Sequence, residues 1–347
     1  MDGSFSDPHF KPDYAPDMIL SQNYISHLGI IKKELITNVG GFTLGLEGAQ
    51  DYDLYLKVLE HTDKINHISK VLYHWRKIPG STAAEFSDKS YAKDAGINAI
   101  KNAMHRRNVN AEVLNGKYPG TYRVVYKIKG NPLVRIIIPF KDKPELLTMC
   151  IESILQKTTY KNFEVIGISN NSEENATFDE MKRLEALDNR IRFYEYNVPF
   201  NYSDINNHAV QSYAKGEQII LLNNDIEIIT PEWIESMLEF SQRENVGAVG
   251  AKLYYPNGTI QHAGVVIGIG GIAGHSHKYF FKNHPGYFSR LGLLQNLSAV
   301  TAACLMIKKS IFLEIGGLNE KELKIAFNDV DFCLRVKEKG YLNVFTP

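Results

Sequence analysis

Cysteine is scarce in this chain: three residues in 347, Cys150, Cys304 and Cys333, widely separated and without a C-x-x-C pair. Such spacing excludes a disulfide framework and a cysteine zinc site, and the apolar neighbours predict reduced thiols in a core. Net charge is lacking as well, with 39 Lys plus Arg against 39 Asp plus Glu. Nothing in that balance draws the chain to nucleic acid or to an anionic membrane. Long apolar runs are also missing. The longest, VVIGIGGIA from Val265, falls well short of the roughly 20 residues that cross a bilayer as a helix. Acidic and polar residues follow Met1, where a secretion leader would begin. The expectation is a soluble cytoplasmic protein, at most peripheral to the inner face of the membrane.

What is present includes one phrase written twice. KKELITNVGGF starts at Lys32 and KKSIFLEIGGL at Lys308, an offset of 308 − 32 = 276. Further on, QDYDLYLK from Gln50 matches NDVDFCLR from Asn328, an offset of 329 − 51 = 278, as if a loop had gained two residues. The chain exceeds the roughly 250 to 300 residues at which a single core stops growing, so the repeat predicts two related units. The expected division is residues 1–85 for a partial first unit, 86–130 for a helix and a strand-bearing linker, and 131–347 for a second unit.

The second unit alternates strands and helices. VRIIIPF from Val134 reads as a strand buried on both faces of a parallel sheet. Asp142 is placed as the N-cap of the helix that follows, with Glu145 completing a capping box. FEVIGIS, TFDEMKRLEAL and IRFYEY continue as strand, surface helix and strand. NYSDINNHAVQSYAKG is a helix closed by Gly216, and EQIILLNN is a fourth strand running into Asp225. This order implies a doubly wound α/β sheet whose ligands lie beyond the strands' carboxyl ends. Three of those ends are polar: PFKD, SNNS and NNDIE. In NNDIE, Asp225 and Glu227 are spaced to ligate a hard divalent cation with phosphate oxygens; the alternative is a solvated turn leading to the helix after Thr230 and Pro231.

The ordered series PFKDKPELLTMCIESIL, ISNNS, FNYSDINNHAV, GEQIILLNNDIEI, PEWIESML, VGAVGAKLYYPNGTIQHAGV, AVTAACLMIKK and GGLNE with NDVDFCLR resembles the inverting nucleotide-sugar glycosyltransferases of family 2, with the GT-A fold. Its motifs FNYSDINN and QHAGV are similar to those of rhamnosyltransferase-like members that build surface polysaccharides. The resemblance implies transfer of a sugar from a UDP- or dTDP-linked donor to a saccharide, glycolipid or glycoprotein acceptor, assisted by Mg²⁺ or Mn²⁺. It implies that Pro139, Phe140, Asp142, Asn170, Asn207, Asn223 and Asn224 hold the donor, and that Asp225 and Glu227 hold the metal. His262, Asn328 and Asp331 would contact acceptor or donor, and Asp329 would be the base. Ser169 and Asn223 stand where many members carry aspartate. By residue type alone, Asp329 serves equally as an N-cap for the helix DVDFCLRVKEKG.

Residues 1–110 resemble only the acceptor-side half of such a domain. Asp51 falls on the base position, and His74 falls where the family often has a late metal or diphosphate ligand. VLYHW is expected as a strand, and this orphan half is expected to dock on a second-unit sheet, within the chain or between copies in a homo-oligomer. Two other readings stand beside the transferase: a nucleotide-sugar-binding or scaffolding module without turnover, and a nicotinamide oxidoreductase. The loose GxGxxA match in GIGGIAG at Gly268 follows the fourth strand and precedes no helix, so a glycine-rich hairpin is expected there instead. HSH at 275–277 lacks a second pair of metal ligands, and Trp233 is placed in a core.

Overall fold

A computed structural model describes residues 5–76 and 90–347. Two compact units divide the chain. One is Met1–Lys127 with Asn283–Asn296; the other is Ile128–Lys282 with Leu297–Pro347. The helix and hairpin expected as a linker thus fold with the first unit, as does the inserted stretch Asn283–Asn296.

The first unit contains α1 (Pro16–Ser21), α2 (Lys33–Asn38), α3 (Gln50–Val58), α4 (Ser90–Arg106) and a hairpin of β1 (Ala111–Asn115) with β2 (Tyr122–Tyr126). Its core collects Met18, Ile19, Tyr52, Leu56, Ile100, Val124 and Leu293. Val71–Trp75, expected as a strand, has no regular structure, and no strand among the described residues pairs with it. A strand without a neighbour leaves its backbone groups to water. The rest of VLYHWRKIPGST, from residue 77 on, lies outside the described residues.

The second unit runs β3 (Val134–Phe140), α5 (Pro144–Lys157), β4 (Phe163–Ser169), α6 (Asn175–Leu187), β5 (Ile191–Glu195), α7 (Tyr202–Ser212), β6 (Gln218–Leu222), α8 (Trp233–Ser241) and β7 (Val246–Ala251). Two small hairpins follow: β8 (Leu253–Tyr254) with β9 (Ile260–His262), and β10 (Val265–Ile267) with β11 (Ala273–His275). Past the short strand β12 (Gln295–Leu297) come β13 (Cys304–Lys308), α9 (Lys309–Glu314), α10 (Asn328–Glu338) and β14 (Leu342–Thr346). The main strands of this unit lie in one sheet in the order β14-β7-β13-β6-β3-β4-β5. β13 alone among them is antiparallel to its neighbours. Every residue of β6 is buried and all but one of β3 and of β4, as continuous apolar runs between two helical layers require. After β3 the chain builds outward through β4 and β5 and then returns to β6 on the other side. That reversal opens a crevice at the carboxyl ends of β3 and β6.

Two local expectations are corrected. Helix α5 starts at Pro144 with Lys143 as its cap residue and no side-chain cap. Asp142 instead accepts the backbone N–H groups of Glu173 and Glu174 at 2.9 and 3.0 Å, satisfying the chain just ahead of α6. Helix α7 ends at Ser212, and Gly216 closes nothing; a Cβ there would lie 2.5 Å from the Leu133 carbonyl oxygen, so close backbone approach requires glycine. The GIGGIAG stretch is the expected hairpin turn between β10 and β11. Cys150, Cys304 and Cys333 are free and buried, and Trp233 is buried. No helix among the described residues is long and apolar enough to cross a membrane.

The repeated phrase folds the same way twice. Lys32 and Lys308 precede six-residue helices with φ/ψ of −60°/132° and −63°/133°. Each helix ends in a Schellman turn. Gly41 N–H reaches Ile36 O and Gly317 N–H reaches Phe312 O, both at 2.9 Å, with the first glycine of each pair at φ 78° or 83°. Lys57 pairs with Asp53 at 2.9 Å and donates to Gly41 O; Arg335 pairs with Asp331 at 2.8 Å and donates to Gly317 O. What differs is the cover. Leu318 is 2% exposed, whereas Phe42 at the same place in the first phrase is 65% exposed.

Candidate active site

The crevice at the sheet's reversal is a cavity of about 510 Å³. Pro139, Phe140 and Lys141 enter it from the end of β3, Asn170 from β4, and Asn223 and Asn224 from β6. The cavity is also lined by Asn328 and Asp329 from the first turn of α10, Ala302 and Ala303 before β13, and His275 from β11. Strands of one sheet end together, so residues far apart in sequence meet here.

Asn170 is buried, and its amide donates to the carbonyls of Tyr196 and Val198 at 2.8 and 2.9 Å. Those bonds hold the loop after β4 against the segment that follows β5. The half-buried Tyr202 also lines the cavity: its hydroxyl donates to Ala302 O at 3.2 Å and lies 3.5 Å from Asn223 Oδ1. Burial, with Asp329 and Asp225 nearby, pushes its phenol far above the usual range, so it stays a neutral donor. Asp329 accepts Ala302 N–H at Oδ2 (3.1 Å) and Val330 N–H at Oδ1 (2.8 Å). It sits at the second position of α10, not at the cap, which is Phe327. A carboxylate there also gains from the positive end of the helix dipole.

Asp225 is exposed in the turn after β6. Glu227, expected beside it as a metal ligand, pairs with Lys157 Nζ at 2.7 Å. Two steps along the turn carried its carboxylate to α5. Among the described residues no three His, Cys, Asp or Glu side chains gather as a metal site.

Four expected contacts are placed elsewhere. Asn207 is buried and its amide clasps the glycine turn, donating to Leu318 O and Glu320 Oε2 and accepting Leu318 N–H, each at 2.8 Å. Asp331 is held by Arg335, which also donates to Ile315 O at 2.8 Å. Asp142 is absent from the cavity wall, and the backbone N–H of Glu174 above all holds its carboxyl below the usual range. His262 is fully buried; it contacts the cavity residue His275, with the two Nδ1 atoms 2.9 Å apart. In the first unit, Asp51 accepts Asn23 Nδ2 at 3.0 Å and His74 packs on Phe5 with ring centroids 4.4 Å apart.

Sequence reasoning missed Tyr202, Ala302 and His275 as wall residues. Tyr202 lies in the motif FNYSDINN and Ala302 in AVTAAC, both recognised as motifs without a role for these residues.

The profile of glycosyl transferase family 2 matches residues 135–316. An uncharacterized protein, y4gI, of Sinorhizobium fredii is 49% identical over 99% of this chain, and the O-antigen biosynthesis protein RfbC of Myxococcus xanthus is 38% identical over 99% of it. The chain spans 38% and 27% of the lengths of these two proteins. Among solved structures, GalNAc-T7 with UDP, GalNAc and Mn²⁺ superposes with a TM-score of 0.52 at 12% identity, covering 62% of this chain and 42% of that one. That likeness is one of fold, the GT-A-like arrangement of a mostly parallel sheet between helices.

Proposed function

The chain belongs to glycosyl transferase family 2, and on that premise we propose that its second unit transfers a sugar from a UDP- or dTDP-linked donor to a saccharide hydroxyl, with inversion at the anomeric carbon. One observation carries this reading. Asp329 and the asparagine-bearing strand ends of β4 and β6 line a single cavity large enough for a sugar nucleotide.

The chemistry follows from those residues. Asn223 and Asn224 supply neutral hydrogen-bonding groups at the end of β6, suited to a base and a diphosphate, while Asn170, whose amide N–H groups hold the Tyr196 and Val198 carbonyls, would meet a base through Oδ1 alone. The acceptor hydroxyl attacks the anomeric carbon as the bond from that carbon to the diphosphate oxygen breaks, and Asp329 takes the hydroxyl proton. A base at this position typically contributes 10² to 10⁴-fold. The two backbone N–H bonds orient its carboxylate for that task. A divalent cation, Mg²⁺ or Mn²⁺, suits a site with one exposed carboxylate, Asp225, beside amide oxygens, because such ions take most of their ligands from phosphates and water. It would neutralise charge on the departing diphosphate.

The matched folding of the two phrases supports the reading of residues 1–85 as the acceptor-side half of a related unit, with Asp51 at the base position. The O-antigen relative supports a surface-polysaccharide acceptor, and the neighbour solved with UDP, GalNAc and Mn²⁺ puts UDP-sugars first among donors to try. Thermal shift across a panel of UDP- and dTDP-sugars with Mn²⁺ tests donor binding. Saturation at 100 times the dissociation constant adds about 2.7 kcal/mol of stability, and no shift with any nucleotide sugar would refute the reading.

A further inference from the structure

His262 and His275 form a pair whose proton positions are set by the surrounding backbone. His262 Nε2 lies 3.2 Å from Gly264 N and 3.4 Å from Thr301 N. Both are backbone N–H donors, so Nε2 is the acceptor. A neutral imidazole with one acceptor nitrogen carries its proton on the other, so His262 is an Nδ1–H donor. That proton points at His275 Nδ1, 2.9 Å away with the rings crossed at 87°. His275 Nδ1 is then an acceptor as well, and its one proton resides on Nε2.

The surroundings disfavour the charged form of both rings. Burial holds His262 down to about 3, with His275 adding to the effect. Burial also lowers His275; Asp329 opposes that shift and Lys278 adds to it. Gly264 fixes the geometry. Its φ of 89° turns its N–H back on the ring, and a Cβ there would strike Leu297 at 1.9 Å.

We propose that His262 is a positioning residue that locks His275 in the Nε2–H form, and that His275 presents this N–H to a hydroxyl oxygen of the saccharide received beside Asp329. The glycosyl-transfer reading is assumed only for the identity of that ligand. His275 is on the cavity wall with Asp329. A donor with a fixed proton discriminates a hydroxyl oxygen from a cationic or apolar group, because an unmatched buried polar group costs about 1–3 kcal/mol. The lock removes the alternative tautomer, which would present a bare acceptor nitrogen to the same site.

The test has two arms. Long-range ¹H–¹⁵N NMR of the whole chain with ¹⁵N-labelled histidine reads the tautomers without substrate. The lock requires His262 as Nδ1–H and His275 as Nε2–H from pH 6 to 8; His275 as Nδ1–H, or an even mixture, overturns it whatever the enzyme transfers. Kinetics with UDP- and dTDP-sugars, Mn²⁺ and a saccharide acceptor then compare His275→Phe with His275→Gln, whose amide N–H sits near the Nε2 position. Phe should raise KM at least roughly fivefold, the size of about 1 kcal/mol, and Gln should restore most of it. A rise in the KM for the nucleotide sugar assigns the oxygen to the transferred sugar, and a rise for the acceptor alone assigns it to the acceptor. Unchanged KM and kcat in the Phe variant overturn the contact. Correct tautomers in a protein that turns over no nucleotide sugar count against the glycosyl-transfer reading, and a His275 Nε2–H resonance unmoved by UDP-glucose, dTDP-rhamnose or the acceptor sugar counts against the contact.

Discussion

Asp329 Oδ2 accepts the backbone N–H of Ala302 at 3.1 Å, tying the first turn of α10 to the segment before β13. Asparagine keeps the shape and one acceptor oxygen but cannot take a proton. Asp329→Asn should therefore leave donor affinity by calorimetry within about twofold, while the transfer rate falls at least roughly 10²-fold. Equal transfer rates would remove Asp329 from the mechanism.

Asp225 and Glu227 should separate. Asp225→Ala is expected to abolish the Mn²⁺-dependent part of UDP or dTDP binding, since the exposed turn loses its carboxylate. Glu227→Ala breaks only the surface pair with Lys157, worth about 0–1 kcal/mol, and nucleotide titration should barely change.

Asn207 is predicted to serve the fold alone. Replacing it with alanine leaves Leu318 N–H and O unpaired in a buried turn, a loss of about 1–3 kcal/mol. Urea unfolding should show that loss, and nucleotide affinity per folded molecule should be unchanged.

Arg335→Met removes the partner of Asp331 and the donors to Ile315 and Gly317. Charged hydrogen bonds of this kind contribute about 1.5–3 kcal/mol, so a comparable drop in unfolding free energy is expected. Lys57→Met should act in the same sense on the first unit, because its ammonium does the same work for Asp53 and Gly41.

Stability should fall with acid through the buried His262. Its folded pKa of about 3 lies below the ordinary 6.5, so on lowering the pH the unfolded chain binds the proton first. The stabilising difference is complete above pH 6.5 and disappears as pH falls toward 3, with about 2 kcal/mol gone by pH 5. Urea midpoints at pH 7 and pH 5 measure it, and His262→Gln should flatten that part of the profile.

The sheet was legible because its strands are unbroken apolar runs ending in Pro139-Phe140, Asn170 and Asn223-Asn224, and strand ends converge whatever the rest of the chain does. The duplicated glycine turns were legible because positive φ at Gly40 and Gly316 is conformationally demanding. Side-chain destinations were harder to read. Asp142, Asn207 and Asp331 are residues of the right type in the right motifs, yet their partners, Glu173–Glu174, Leu318 and Arg335, are fixed by how loops fold across one another. His275 was hidden for the same reason: its role depends on His262, Gly264 and Thr301 meeting in space.

The most direct test incubates the chain with α-linked UDP- and dTDP-sugars, Mn²⁺ and a saccharide acceptor, and reads the product's anomeric configuration by NMR. Transfer with inversion to a β-linked product, lost in Asp329→Asn, is the predicted result. A product that keeps the α configuration, or transfer that persists at the native rate without Asp329, would contradict a single inverting displacement in this cavity.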